Sequence, residues 1–440
     1  MTKDILTPFD RMAPRPGTFV EATAGVSVFK SSAHRSVPAD HVGARYAGSG
    51  ECDIVCLSHL RWNFVFQRPQ HLLTRFARTR RVIFVEEPID HAGESRLDVN
   101  RDASGVIVAV PHVRPGGDRT AEMRSLLDDL LAVEDVNRYV LWYYTPMARA
   151  FTRHLTPEAI VYDCMDELAA FAGAPAGLVE AERELMDHAD VVLTGGQSLY
   201  ELKRHLHSNV HAVPSSVDVA HFARARQVLV DPEDQAHIPL PRLGFFGVID
   251  ERMDTELIAE VARRRSDWHF VLLGPVVKID LSLLPRLPNL HYLGPKPYAA
   301  LPDYLAGWSV ALLPFARNES TRFISPTKTP EYLAAGKPVV STSIRDVVEP
   351  YGTLGLARIA DTAPGFIEAI AAALESNPED IARESDRFLE QTSWDKTWQR
   401  IVTLIEEAMQ IRKVRRSPHP LSLSASPLNS PIATSSLARP

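Results

Sequence analysis

Cysteine is almost missing from this chain of 440 residues. The three present, Cys52, Cys56 and Cys164, are an odd set with no metal-ligand spacing, which excludes a disulfide framework and a cysteine metal site. Cys52 and Cys56 lie four apart in an expected strand, share a face, and read as small core residues of a protein in a reducing, cytosolic compartment. Positive charge is not in excess either. Lys and Arg total 48 against 55 Asp and Glu, a formal charge of −7, so the chain is no general nucleic-acid binder. One small anion held by a few local cations is still allowed. No apolar run is long enough to cross a bilayer, and Met1 to Pro16 has no signal-peptide core.

Glycine-rich fingerprints are lacking too. Gly48-Ser-Gly50 precedes its strand and has no third glycine, so it is not a dinucleotide turn. Gly336-Lys337 runs into Pro338 and follows a helix, which excludes a triphosphate loop. There is no Gly-x-Ser-x-Gly elbow, no zinc set and no Asp-x-Asp pair. With no residue set for a divalent ion, side chains and helix ends must meet the charge of any phosphate ligand, and no cofactor is expected.

The remaining composition, 45% hydrophobic and 23% charged, is that of a soluble globular protein, and the length calls for two domains with tails. Residues 1–50 show no sustained periodicity and read as a flexible arm. From Glu51 short apolar runs alternate with helical patterns. Strands are expected at Asp53–Leu57, Val82–Val85, Val106–Val110, Tyr139–Trp142, Ile160–Tyr162 and Val191–Thr194, with amphipathic stretches such as Gln67–Ala77 and Leu178–Ala189 between them. That alternation predicts an α/β fold with a parallel, doubly wound sheet over 51–225. Residues 226–241, centred on Asp231-Pro-Glu-Asp234, read as an interdomain linker. A second series fills 242–391, with strands at Leu243–Phe246, His269–Leu273, His291–Leu293, Val310–Leu313 and Val339–Thr342. Gly247 and Gly274 punctuate strand ends there, where open α/β sheets bind ligands. Trp394, Trp398, Ile401, Ile405 and Met409 form a packing stripe on a helix over 392–412, and the Ser/Pro-rich stretch 413–440 lacks the apolar content to fold.

The most informative segment runs from Ser325 to Thr342. Ser325-Pro326 and Thr329-Pro330 are each a capping hydroxyl followed by proline, so each predicts a helix start. Gly336 stops the helix, and a β-branched strand follows. Such a loop-helix-strand unit offers backbone N–H groups to an anion. A start near Ser325 puts Lys328 in the first turn, with Glu331 on the same face. A cation for a pyrophosphate beside a carboxylate for a ribose diol is the chemistry of a nucleotide-diphosphate site, with Ser325 and Thr327 at its loop end.

Phe323–Thr342, Gly244–Gly247 with Asp250-Glu-Arg252, and Pro214–Phe222 resemble the glycosyltransferases with two Rossmann-like lobes, the GT-B fold, of family-four type. The similarity spans about Asp53 to Met409. In the first lobe, Leu57–Trp62 through Gln67–His71 and Val161–Asp166 resemble a bacterial subgroup linked to cell-surface polysaccharide assembly. The resemblance implies a hexosyltransferase type that carries a sugar from a nucleotide-diphosphate donor to a hydroxyl acceptor on a glycan or lipid, without metal. It also implies a C-terminal helix that crosses back to the first lobe, and it allows peripheral contact at the inner membrane face. Glu331 matches the second glutamate of the family's Glu-x7-Glu motif, whereas Phe323 stands where the first belongs. Arg252 and, at shifted spacing, Lys278 match the diphosphate cations, and Gly247 a close-approach glycine. Catalytic candidates are Asp166 (base or helix cap), Asp163 (base or strand-end cap) and His59 (base or satisfied strand-end histidine). Arg61 and Trp62 are acceptor-side candidates, Trp62 as a sugar platform or as core. A nucleotide-sugar epimerase of the same architecture, and a non-catalytic scaffold, are the competing readings.

Overall fold

The computed structural model of the chain describes residues 27–30, 52–227 and 230–416. Its strands are β1 (Ser27–Lys30), β2 (Asp53–Leu57), β3 (Val82–Val85), β4 (Ile89–Asp90), β5 (Arg96–Arg101), β6 (Ile107–Val113), β7 (Tyr139–Tyr143), β8 (Ala159–Cys164), β9 (Val191–Thr194) and β10 (Val210–Ala212), all in one sheet. A second sheet holds β11 (Arg242–Phe246), β12 (His269–Leu273), β13 (Leu290–Gly294), β14 (Val310–Leu313), β15 (Val339–Ser341) and β16 (Ala357–Ile359).

The first sheet runs β1-β5-β6-β3-β2-β7-β8-β9-β10, with β4 paired to β6. It is parallel except where β5 meets β1 and β6. The second runs β13-β12-β11-β14-β15-β16 and is parallel throughout. Apart from β1, which lies at the outer edge of the first sheet, the chain enters each sheet near the middle, at β2 and at β11, and winds outward both ways. The order reverses between β2 and β7 in one and between β11 and β14 in the other. Crevices form at the carboxyl ends of strands at such points, and here the two crevices face each other.

The central strands of each sheet are buried on both faces, which is why they are apolar runs. Val55, Leu141 and Tyr162 belong to one layer of the first lobe, and Ile54, Phe84 and Trp142 to the other. Fully burying side chains of this size contributes about 1.5–3 kcal/mol apiece. The helix Trp394–Arg416 lays Trp394, Ile401, Ile405 and Ala408 onto the second of these layers, so the end of the described chain packs on the first lobe.

Several expectations need amendment. Ser27–Lys30, expected within a structureless arm, pairs antiparallel with β5; the rest of 1–50 lies outside the described residues. The helix expected to stop at residue 412 runs on to Arg416, while 417–440 lies outside them. The stretch 226–241 is packed where described. The Asp231 carboxylate meets Arg242 at 2.6 Å, and Gln235, fully buried, accepts from the Trp308 indole at 2.9 Å. Its polar residues satisfy buried partners instead of water. The short helix Lys328–Ala334 starts behind Thr327, which has helical φ and no side-chain cap, so neither expected hydroxyl caps it. Ser325 instead lies beside the Asp346 carboxylate, and Thr329 is buried within the helix.

Candidate active site

Between the lobes lies a cavity of about 700 Å³. Its C-terminal wall is set by two glycines. Gly247 leaves β11 at φ +143° and Gly274 leaves β12 at φ +141°, backbone that side chains rarely adopt. A Cβ on Gly247 would lie 2.2 Å from Lys328 Cε, and one on Gly274 would lie 1.8 Å from the Gly247 carbonyl oxygen. The missing side chains let Lys328 cross the end of β11. The Phe246 N–H donates to the Tyr332 hydroxyl at 3.1 Å, which ties the helix Lys328–Ala334 to that strand.

One turn beyond Lys328, Glu331 faces the same cavity. It is buried, and burial pushes its carboxyl up to about 8 against the pull of the Lys328 ammonium. Burial in turn lowers the lysine. Arg252 completes this wall. Its Nε and Nη2 donate to Asp250 at 2.9 and 2.7 Å, so a buried carboxylate fixes the guanidinium at the cavity edge. Ser325 and Thr327 lie at the mouth of the same loop.

The opposite wall comes from the first lobe. Trp62 to Gln67, Asp102 to Ser104, Met165, Asp166 and Ser215 line it. Asp166 is half-buried; burial raises its carboxyl, and Arg252, Lys328 and Lys278 across the cleft oppose that shift. One carboxylate of the first lobe therefore confronts the cations of the second.

Other candidates fall elsewhere. Asp163 is not in the cavity wall. It is fully buried, takes the Arg68 Nε at 3.1 and 3.0 Å, and stands 2.9 Å from Arg68 Nη2, so its expected catalytic role gives way to a structural ion pair. His59 is buried behind the wall with Nδ1 3.0 Å from the Tyr144 carbonyl, and burial lowers it to about 4. It is the satisfied strand-end histidine. Arg61 is committed to Glu86 at 3.0 Å and the Glu87 carbonyl at 2.6 Å, outside the cavity. Trp62 reaches the cavity but is a core residue, packed edge-on to Phe84 at 5.0 Å. Lys278 stands outside the wall, over the Phe171 ring. Phe323 packs against the core of the first lobe, a contact that a glutamate there would not supply.

Sequence reasoning missed Phe64 to Phe66 and Pro295 to Tyr298, which line much of the cavity. The Tyr298 ring stacks on Phe66 at 4.7 Å and on His221 at 4.4 Å. The Pro295-Lys-Pro-Tyr298 run immediately after a strand was the available signal. Among the described residues, no group of three or more His, Cys, Asp or Glu side chains could hold a metal ion, and no helix is long and apolar enough to cross a membrane.

Residues 240–376, the wall with Gly247, Arg252, Lys328 and Glu331, match the family model described as Glycosyl transferases group 1. The chain is 27% identical over 300 residues to TuaH of Bacillus subtilis (strain 168), named for a glycosyltransferase role in teichuronic acid biosynthesis; the match covers 64% of this chain and 75% of TuaH. Among solved structures, it is similar to sucrose-phosphate synthase from Thermosynechococcus elongatus (TM-score 0.63, 12% identity, 82% of this chain and 100% of that one). It is also similar to Anabaena HepE in complex with UDP and glucose (TM-score 0.60, 12% identity, 81% and 100%). The two-lobed architecture is the GT-B fold.

Proposed function

We propose that this GT-B glycosyltransferase of family-four-like kind transfers a sugar from a nucleotide-diphosphate donor to a hydroxyl of a glycan or lipid-linked acceptor. The observation that carries the proposal is the placing of Lys328, Glu331 and Arg252 on one wall, opposite Asp166 on the other. Glu331 binds the ribose hydroxyls. Lys328 and Arg252 take the diphosphate, with Lys278 adding charge from behind, so that the departing negative charge meets cations already in place and needs no divalent ion.

In the transfer itself, the acceptor oxygen bonds to the anomeric carbon as the bond from that carbon to the diphosphate oxygen breaks. The acceptor proton goes to Asp166 or to the departing phosphate. Burial makes Asp166 a stronger base than a solvated aspartate, which suits it to the first course. Closing the lobes around the reactants excludes water and fixes their approach. Two relatives support the choice of substrates: TuaH is named for teichuronic acid biosynthesis, and HepE was solved with UDP-glucose. We place its role in cell-surface polysaccharide or glycolipid assembly, with peripheral contact at the inner membrane face as part of the proposal.

The test is nucleoside diphosphate release from a panel of UDP-, GDP-, ADP- and dTDP-sugars with glycolipid extracts as acceptor. Release from one donor, reduced at least tenfold by Glu331→Ala, is the expected result. An isomerised nucleotide sugar, or release untouched by the substitution, would overturn the assignment.

A further inference from the structure

Arg252 and Lys278 share a contact with a residue of the first lobe that lies outside the cavity wall. Phe171 belongs to the first lobe, in the segment between β8 and the helix Leu178–His188. Its ring centre lies 5.6 Å from the Arg252 guanidinium carbon and 5.5 Å from Lys278 Nζ. Both cations belong to the other lobe. These separations are within about 6 Å, the range over which the face of an aromatic ring attracts a cation.

Three further features converge on this contact. The edge of the Arg252 guanidinium is occupied by Asp250, so carboxylate and ring together leave it little freedom to turn. Lys278 holds a left-handed backbone, φ +61°, unusual for a residue with a side chain, and that backbone sends its ammonium to the same ring. The segment that supplies Phe171 also supplies Asp166, whose carboxylate is drawn to Arg252, Lys328 and Lys278. One stretch of the first lobe thus engages the cations of the second twice, by charge and by ring face.

We propose that Phe171 is a positioning residue for the donor diphosphate. It touches no substrate. It holds Arg252 and Lys278 in the orientation the diphosphate needs and shields their far side from water, so the first lobe strengthens phosphate binding in the second. The idea rests on the donor reading above and extends it to a residue outside the cavity wall.

The test compares Phe171→Leu with Phe171→Trp in the full chain, both checked by thermal unfolding. Calorimetry gives the affinity of whichever of UDP, GDP, ADP and dTDP binds wild type best, and of its monophosphate. With a cation–ring contact of ordinary strength lost, Phe171→Leu weakens the diphosphate about five- to thirtyfold. The monophosphate changes by less than about twofold, and Phe171→Trp stays near wild type. A packing role predicts the reverse order, because Trp overfills a site that Leu fits. Equal losses of mono- and diphosphate, an unchanged Phe171→Leu, or a Phe171→Trp as weak as Phe171→Leu would each overturn the proposal while leaving the donor site standing. Failure of wild type to bind any diphosphate would sink the donor reading, and this proposal with it.

Discussion

Glu331 and Asp163 are both carboxylates buried in this molecule, and their surroundings set them different tasks. Asp163 faces a fully buried guanidinium, whose Nε donates to both of its oxygens and whose Nη2 pairs with it at 2.9 Å. Glu331 faces a cavity, with Lys328 as its charged neighbour, and part of its bonding capacity is left for a ligand. Removing one partner of a buried ion pair costs about 3–5 kcal/mol because the other charge is left uncompensated. Asp163→Asn therefore lowers the thermal midpoint by several degrees, read by circular dichroism, and leaves nucleoside diphosphate affinity within about twofold. A large loss of affinity in a folded variant would return Asp163 to the site. Sequence could distinguish these residues only in part. Lys328 and Glu331 are neighbours on one helical turn, so their pairing is written locally. The partner of Asp163 is Arg68, 95 residues away, and a position just past a strand does not reveal it.

At the scale of elements, apolar runs identified the central strands because those strands are buried on both faces. β5 escaped notice because Arg96–Arg101 alternates charged and apolar residues at the side of the sheet, outside the parallel core. The helix Lys328–Ala334 was legible as an element but not in its start, since it begins behind Thr327 and neither candidate hydroxyl caps it: Ser325 lies beside Asp346, and the Thr329 hydroxyl is buried within the helix without a partner. Gly247 is where element geometry meets the site. Its φ of +143° favours glycine, and a Cβ there would lie 2.2 Å from Lys328 Cε, so a side chain would push the lysine aside. Gly247→Ala should displace the ammonium and weaken nucleoside diphosphate binding at least tenfold, about 1.4 kcal/mol, in a titration calorimeter. An alanine variant that binds like wild type would mean that Lys328 does not reach the phosphate.

The fit between the two lobes depends on pairs of residues far apart in sequence, and none of it could be read from local pattern. Asp346 of the second lobe accepts the Ser198 N–H at 3.0 Å, at the start of a helix of the first. Gly196 sits so close that a Cβ there would lie 2.1 Å from Asp346 Oδ2. Arg345 meets Glu201 at 3.1 Å, and Phe66 stacks on Tyr298. These contacts hold the Asp166 wall against the cation wall. Ser325, at the donor mouth, lies beside the same Asp346, so the loop end of the site adjoins the contact between lobes.

The central claim is that this cleft holds a nucleoside diphosphate by its own side chains. Its most direct test is calorimetric titration of the full chain with UDP, GDP, ADP and dTDP in the presence of EDTA, with NAD as control and Glu331→Ala in parallel. The account predicts selective binding of one diphosphate in EDTA, no binding of NAD, and a loss of at least tenfold in the variant. Binding that appears only when a divalent ion is restored, or that survives unchanged in Glu331→Ala, would contradict it.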